Sequence, residues 1–352
     1  MNIEIVTCAN ATLKETGFGT MAACNDVMAV LISQGHTADV TPCASLHDLN
    51  AIVERGPDLL ILAAKYLLLD DGLTVWYADY FNKNKLLFSG SSRQALRYDS
   101  EKILAKIQLA RLGINTAQFF MAVPHQYQRH ETLPLAYPLF LKPSDAANGN
   151  GVDDQSVVEN FSQFEAKVAS LYASFGQPIL VEEYLSGKEF TVAIIKDRCG
   201  ELTVSAVEIV PPLSQGGLRM LGEKVKASDT ELIKTVDIEH IGAVKALAEA
   251  AFLGLGIKGF GRIDIKMNAA GQCYFMEANL VPGMNRHSSY FPRACQVANQ
   301  LTYEEVIERM LDECFSRVIM ADLQPSLPVA RSTFSPRPFS DTSGSARAHH
   351  RN

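Results

Sequence analysis

The densest chemistry in this 352-residue chain lies in two short segments, Arg262-Ile263-Asp264 and Glu277-Ala278-Asn279, separated by a turn-like Asn268-Ala269-Ala270-Gly271. In a strand, side chains two apart share a face, so Arg262 projects with Asp264 and Glu277 with Asn279. Paired through a hairpin, the four put three oxygen donors and one guanidinium on a single surface. Hard oxygen ligands of this kind suit Mg²⁺ bound jointly with phosphates, and the carboxamide lowers the charge without losing an oxygen. Any two of these residues alone also read as a solvated sheet face with an Arg–Asp salt bridge. All four together, followed by Pro282-Gly283-Met284, favour a metal site.

Two further stretches fit phosphate and nucleotide chemistry. Lys142 ends the apolar run Pro138-Leu139-Phe140-Leu141 and precedes a loop carrying Asn148-Gly149-Asn150-Gly151. A lysine at a strand end beside glycines can neutralise a phosphate while main-chain N–H groups cover it. The same tetrapeptide is also an ordinary surface turn, and neither a Walker loop nor a G-x-G-x-x-G follows any strand signal. The connector Glu182-Glu183-Tyr184-Leu185-Ser186-Gly187-Lys188-Glu189 could offer main-chain groups to an adenine edge and a carboxylate to ribose hydroxyls. On spacing alone it reads better as an acidic turn.

The elements that must position these residues follow from periodicity. The first ninety residues alternate strand and helix signals: strands at Ile3–Cys8, Ala38–Thr41 and Asp58–Ala64, helices at Thr20–Gln34 and Leu46–Arg55, and a last strand at Leu86–Phe88. That alternation predicts a small parallel sheet covered on both faces. A helix is expected over Ser100–Leu112, strands at Leu139–Lys142 and Ile179–Glu183, and a helix at Phe161–Phe175 between them. Strands at Phe190–Lys196 and Val204–Ile209, a helix at Glu239–Leu253, a hairpin of Phe260–Met267 with Cys273–Ala278, and a helix at Tyr303–Arg317 complete the reading. Trp76, Tyr77 and Tyr80 fall at helical spacing and read as packing. Lys65 and Asp70-Asp71-Gly72 either border a cleft or form a solvated loop.

Composition removes several classes. A net charge of −7 argues against bulk binding of nucleic acid or anionic membrane. The best apolar run, Leu59 to Leu69, is broken by Lys65 and is about half the ~20 residues that span a bilayer. The amino terminus lacks a basic signal-peptide region. Seven scattered cysteines without a C-x-x-C pair make a disulfide framework or zinc knuckle improbable and suit a reducing cytoplasm. From about Asp322 the chain turns to Pro, Ser, Arg and His without periodicity and is expected to be a disordered appendage.

Taken in order, these residues resemble the ATP-grasp superfamily, and specifically the D-alanine–D-alanine ligases. The likeness is carried by Val181-Glu-Glu-Tyr-Leu-Ser-Gly-Lys-Glu-Phe-Thr-Val192, Gly259-Phe-Gly-Arg-Ile-Asp264 and Glu277-Ala-Asn-Leu-Val-Pro-Gly-Met284. It is closest over Ile179–Glu313. The resemblance implies an α/β ATP-grasp fold in three domains: residues 1–95 an amino-terminal parallel α/β domain, 96–180 a central subdomain, 181–320 a catalytic subdomain, with 321–352 as tail. It implies an ADP-forming, ATP- and Mg²⁺-dependent ligase joining two amino acids through an acyl phosphate, with Mn²⁺ as a substitute metal.

By that resemblance Lys102, Lys142 and Lys226 would hold the ATP phosphates, Glu182 would meet the adenine amino group, Glu183 and Leu185 would offer main-chain atoms, and Glu189 would bind ribose. Asp264, Glu277 and Asn279 would hold two metal ions. Arg262 and the Gly283 N–H would stabilise the oxyanion, Ser288 would bind the second substrate's carboxylate, and Glu15 a substrate ammonium. Partners would be small amino acids in the cytoplasm, neither nucleic acid nor membrane, with a homodimer through the amino-terminal domain. Departures from the family bear on substrate. Ala147-Asn148-Gly149-Asn150 replaces a Gly-Ser-Ser loop, Ala227 stands where a tyrosine follows the loop lysine, and Ser289-Tyr290-Phe291 replaces small aliphatic residues. A ligase making another dipeptide or specialised metabolite, and a catalytically silent ATP-binding regulator, are the alternatives. The intact Arg262, Asp264, Glu277 and Asn279 speak against the second.

Overall fold

The first strand, β1 (Asn2–Cys8), is buried at five successive positions, as expected of a strand covered on both faces. Its one internal charge, Glu4, is met by Arg55 and Thr41. The structure, a computed structural model, describes residues 1–9, 17–144, 149–214 and 216–323. Helix α1 (Met21–Ser33) begins at Thr20, whose hydroxyl accepts the Ala23 N–H at 3.2 Å. After it come β2 (Thr37–Cys43), α2 (Leu46–Arg55) and β3 (Leu59–Leu62); a Ser45–Asp48 capping box opens α2. Strands β2 and β3 both pair parallel with β1 in the order β2-β1-β3. Phe88 adds only a single parallel bridge to Leu60, where a full strand was expected.

The next elements depart from the periodicity. A short hairpin, β4 (Tyr66–Leu68) and β5 (Thr74–Trp76), is turned by the segment containing Asp70-Asp71-Gly72. Trp76 thus ends a strand, and Tyr77 opens α3 (Tyr77–Lys83) fully buried, its hydroxyl donating to the Thr7 carbonyl at 3.1 Å. The helix expected over Ser100–Leu112 is α5 (Lys102–Arg111), and a further helix that the sequence reading did not include, α4 (Arg93–Ser100), precedes it. Glu101 breaks them by leaving helical dihedrals, at φ −108° and ψ 77°. Lys102 therefore starts a new helix.

A second sheet contains β6 (Phe119–Ala122), β7 (Leu139–Pro143), β8 (Val157–Val158) and, after α6 (Phe161–Phe175), β9 (Ile179–Glu183). It is antiparallel in the order β6-β9-β7-β8 and closes its own core around Phe120, Leu141, Phe164 and Val181.

The third sheet runs β10 (Glu189–Lys196), β11 (Leu202–Val210) and, after α7 (Glu223–Ser228), β12 (Leu232–Thr235). Helix α8 (Ile238–Gly254) leads into β13 (Phe260–Met267) and β14 (Cys273–Asn279). The order is β12-β11-β10-β13-β14, antiparallel throughout. Helices α9 (Tyr290–Asn299) and α10 (Tyr303–Leu323) follow, α9 against β10–β12 and α10 against α1 and β3. Helix α10 runs past Arg317 to Leu323; the tail from residue 324 lies outside the described residues. Through α10 the first and third sheets share one continuous apolar core. No described helix is long and apolar enough to cross a membrane.

One short staple holds Gly17 and Phe18. Gly17 sits at φ +60°, and a Cβ there would lie 1.9 Å from the Ala63 carbonyl oxygen. The buried Phe18 donates its N–H to that oxygen at 2.9 Å, and its own carbonyl accepts the Met284 N–H at 3.0 Å. Gly17→Ala combines left-handed strain with a main-chain clash. It is expected to destabilise the protein by about 2 kcal/mol or more in chemical denaturation.

Candidate active site

The hairpin register brings the four expected residues together. Arg262 faces Asn279 and Asp264 faces Glu277 across β13 and β14, with a bulge between Asp264 and Ile265 that re-aims the strand. All four are partly open, whereas Ile263, Ile265 and Ala278 are buried. Arg262 binds Asp264 in bidentate fashion at 3.0 and 2.9 Å. Thr191, opposite Asp264 on β10, donates to the same carboxylate at 2.6 Å, and Asn279 Nδ2 does so at 3.2 Å. Burial disfavours a charged Arg262, yet Asp264 and Glu277 raise its pKa above the ordinary value.

Three lysines converge from other elements. Lys102, first residue of α5, pairs with Glu277 at 2.7 Å. One turn on, Lys106 is fully buried and lies 2.7 Å from the Glu182 carboxylate, whose other oxygen is 2.7 Å from Lys142 on β7. Burial alone would push Glu182 up, but the two ammonium groups hold its pKa at about 2. Burial acts the same way on Glu277, and there too the lysines win, Lys102 foremost, holding it well below the carboxylate range. Burial disfavours the charge on Lys102 as well, but Glu277 raises its pKa.

These residues border two adjoining cavities. The smaller, about 110 Å³, is lined by Phe140, Leu185, Met220 and Met276 together with Lys142 and Glu189. It lies between the second and third sheets: apolar walls at one end, charges at the other. The larger, about 300 Å³, is lined by Arg262, Asn279, Gly283, Ser288 and Tyr290, with Gly17 and Lys65 on the amino-terminal side. Lys102, Lys226 and Glu277 line both. Their junction is where a group could pass from one cavity to the other.

Of the residues singled out in the sequence, Glu189 is placed at the smaller cavity and paired with Lys266 at 3.0 Å. The Glu183 carboxylate accepts the Gln118 N–H at 2.8 Å, and the Glu183 N–H donates to the Gln118 carbonyl at 3.1 Å. The Glu182 side chain is engaged differently from the adenine contact expected of it. It is 1% exposed and held by Lys106 and Lys142, so any adenine contact would have to use its main chain. Ser288 is set by the Asn285 side chain, which accepts its N–H at 3.1 Å. Lys65 lines the larger cavity, paired with Asp99 at 2.7 Å, whereas Asp70-Asp71-Gly72 lines neither. Glu15, Ala147 and Asn148 lie outside the described residues.

Sequence reasoning missed Lys106, Asp99 and Glu231. Only Lys106 had a signal, its spacing of one helical turn from Lys102. Asp99 bonds the Leu280 N–H at 2.6 Å and so ties the end of α4 to the strand of metal-type ligands. The connector after β9 is fixed by Gly187, whose N–H donates to the Met267 carbonyl at 2.9 Å; a Cβ there would meet Asn268 and Met267 at under 3 Å.

Two antiparallel sheets closing on a slot, with oxygen ligands on a hairpin at its charged end and a parallel α/β unit beside it, define an ATP-grasp protein. The chain belongs to the D-ala D-ala ligase C-terminus family, which it matches over residues 108–312. It is 28% identical over 235 residues to the D-alanine–D-alanine ligase of Bordetella petrii, covering 66% of this chain and 69% of that one. With the D-alanine–D-alanine ligase of Geobacter sulfurreducens it shares 29% over 231 residues, 64% and 68% of the two chains. The crystal structure of the Bacillus anthracis D-alanine–D-alanine ligase complexed with ATP has the same fold, with a TM-score of 0.68 at 17% identity, covering 91% of this chain and 99% of that one.

The depressed carboxylates give an acid dependence. Glu182 has a folded pKa of about 2, below its ordinary value of 4.5, so its contribution is complete above the ordinary value and lost as pH falls toward 2. Unfolding free energy is expected to fall steeply over that window in urea melts, and Glu182→Gln to flatten the slope while lowering stability at pH 7. Lys106→Met, which leaves a buried charge half-compensated, should cost about 3 kcal/mol or more in the same melts.

Proposed function

We propose that the chain is an ATP-dependent, ADP-forming ligase that joins the carboxylate of one amino acid to the amine of another, in the manner of the D-alanine–D-alanine ligases it is similar to. The observation that carries this reading is the junction of the two cavities at Lys102, Lys226 and Glu277. A nucleotide in the apolar slot would direct its terminal phosphate there, and an amino-acid carboxylate in the larger cavity would meet it. Phe140, Leu185 and Met276 would sandwich the adenine, and Glu189 would accept from ribose hydroxyls. Lys142, Lys102 and Lys226 would carry the phosphate charge.

The carboxylate oxygen attacks the terminal phosphorus and ADP leaves; the second amine then attacks the acyl carbon and inorganic phosphate leaves. Phosphoryl transfer needs chiefly positioning and neutralisation of developing charge. Arg262 and the Gly283 N–H, at the larger cavity, would face the oxyanion that forms at the acyl carbon. Ser288 would hold the carboxylate of the amine donor.

Asp264, Glu277 and Asn279 form an all-oxygen donor set on one face, which fits Mg²⁺. When bound there, Mg²⁺ would neutralise phosphate oxygens; Mn²⁺ has the same ligand preference. We read the reaction as cytoplasmic, where ATP is plentiful and the chain's free thiols stay reduced. The family's dimerisation through its amino-terminal domain is carried over on resemblance alone.

The test is ADP release from Mg·ATP with D- and L-amino acids, singly and in pairs, products being identified by mass. D-Alanine is expected to be turned over into its dipeptide. ATP binding without ADP release for any pair would contradict the ligase reading. In the active enzyme, Arg262→Met should lower kcat by about 10²–10³, roughly 3–4 kcal/mol in barrier, with little change in the KM for ATP. Parallel losses in kcat and ATP affinity would make Arg262 a ground-state contact.

A further inference from the structure

We propose that Glu231 binds an ammonium group of the amino-acid substrate in the larger cavity, with Tyr290 as its positioning residue; the inference rests on the ligase reading above. Glu231 lies between α7 and β12, lines that cavity and is 5% exposed. One of its oxygens accepts the Tyr290 hydroxyl. The other, Oε2, is buried and has no hydrogen-bond partner, and no basic side chain among the described residues pairs with Glu231. A buried carboxylate oxygen without a donor is costly, and such groups are kept where a ligand completes them.

The other acids that line the cavity are already matched. Asp99 is paired with Lys65 and with the Leu280 N–H. Glu277 is paired with Lys102, and Asp229 with Arg293. Arg262 is held by Asp264. Glu231 is the acid left over, and it faces a space the reading assigns to amino acids. A cation with several N–H donors is the chemistry that satisfies it, and an ammonium supplies both charge and donors.

Tyr290 does more than fix the carboxylate. Its ring lies 5.4 Å beneath the Arg262 guanidinium. A substrate held by Glu231 is thereby set against the arginine that faces the reacting carbon. Tyr290 belongs to the segment that departs from the family's small aliphatic residues, so this pair is a feature through which the chain would select its own substrate.

The ammonium could be the α-amino group or an amine on the side chain, and one experiment separates the two. Steady-state kinetics of Glu231→Gln and Tyr290→Phe would be measured with each of alanine, serine and lysine, in D and L forms, that the wild-type enzyme turns over. Glu231→Gln is expected to raise the amino-acid KM at least tenfold while the KM for ATP stays within twofold, which also shows the variant is folded. Glu231→Asp should recover part of the loss, and Tyr290→Phe should show a smaller rise. An equal rise for every amino acid identifies the α-ammonium; a rise confined to lysine identifies a side-chain amine. Unchanged amino-acid KM values in an active Glu231→Gln enzyme, with or without a lower melting temperature, would overturn the assignment and leave the ligase reading intact. A wild-type enzyme inactive with every amino acid would count against the ligase reading and remove this inference with it.

Discussion

The site depends on one buried carboxylate. Glu182 on β9 is held between Lys106 on α5 and Lys142 on β7, and it is nearly inaccessible. Taking three charges out of water is costly, and the arrangement holds only because each ammonium meets its own carboxylate oxygen. The second sheet has its own apolar core, while the buried face of α5, through Ala105 and Leu109, belongs to the core shared by the first and third sheets. The ionic triad therefore joins two cores that apolar packing leaves separate. Lys102 lies one turn from Lys106, so the same contact aims it at Glu277.

Around that anchor the site is neutralised in pairs. Lys102 holds Glu277, Arg262 holds Asp264, Lys65 holds Asp99 and Lys266 holds Glu189. A polyanion accompanied by a divalent cation can enter such a site by exchange: lysines turn from carboxylate to phosphate while the carboxylates turn to metal. Of the Glu182 triad, Lys106 is fully buried and stays outside that exchange, whereas Lys142 lines the smaller cavity.

Much of this was legible in the sequence because period and turn chemistry agreed. The β13–β14 hairpin follows from alternation on both sides of Asn268–Gly271, strict on β13 and shifted once at Met276–Glu277 on β14; alternation sets Arg262 with Asp264 and Glu277 with Asn279, and the pairing brings all four together. The expected bounds of α2, α6 and β9 coincide with those observed, since caps or glycines mark both helices and an apolar run marks the strand. What periodicity missed has physical causes. Strands β4 and β5 are three residues each, too short to show a period. The division of α4 from α5 rests on the dihedrals of Glu101, a residue otherwise favourable to helix. The roles of Glu182 and Lys106 rest on burial, which residue type argues against for both. Glu231 and Tyr290 are 59 residues apart and meet only through tertiary packing.

The central claim is that a carboxylate and a terminal phosphate react at the junction of the two cavities. Following isotope in the carboxylate tests it most directly. With an amino acid carrying ¹⁸O in both carboxylate oxygens, and unlabelled Mg·ATP, each turnover should deliver one labelled oxygen to inorganic phosphate and leave the other in the product's amide carbonyl. Phosphate free of label alongside product, or label found instead in a nucleotide monophosphate, would contradict the acyl-phosphate account.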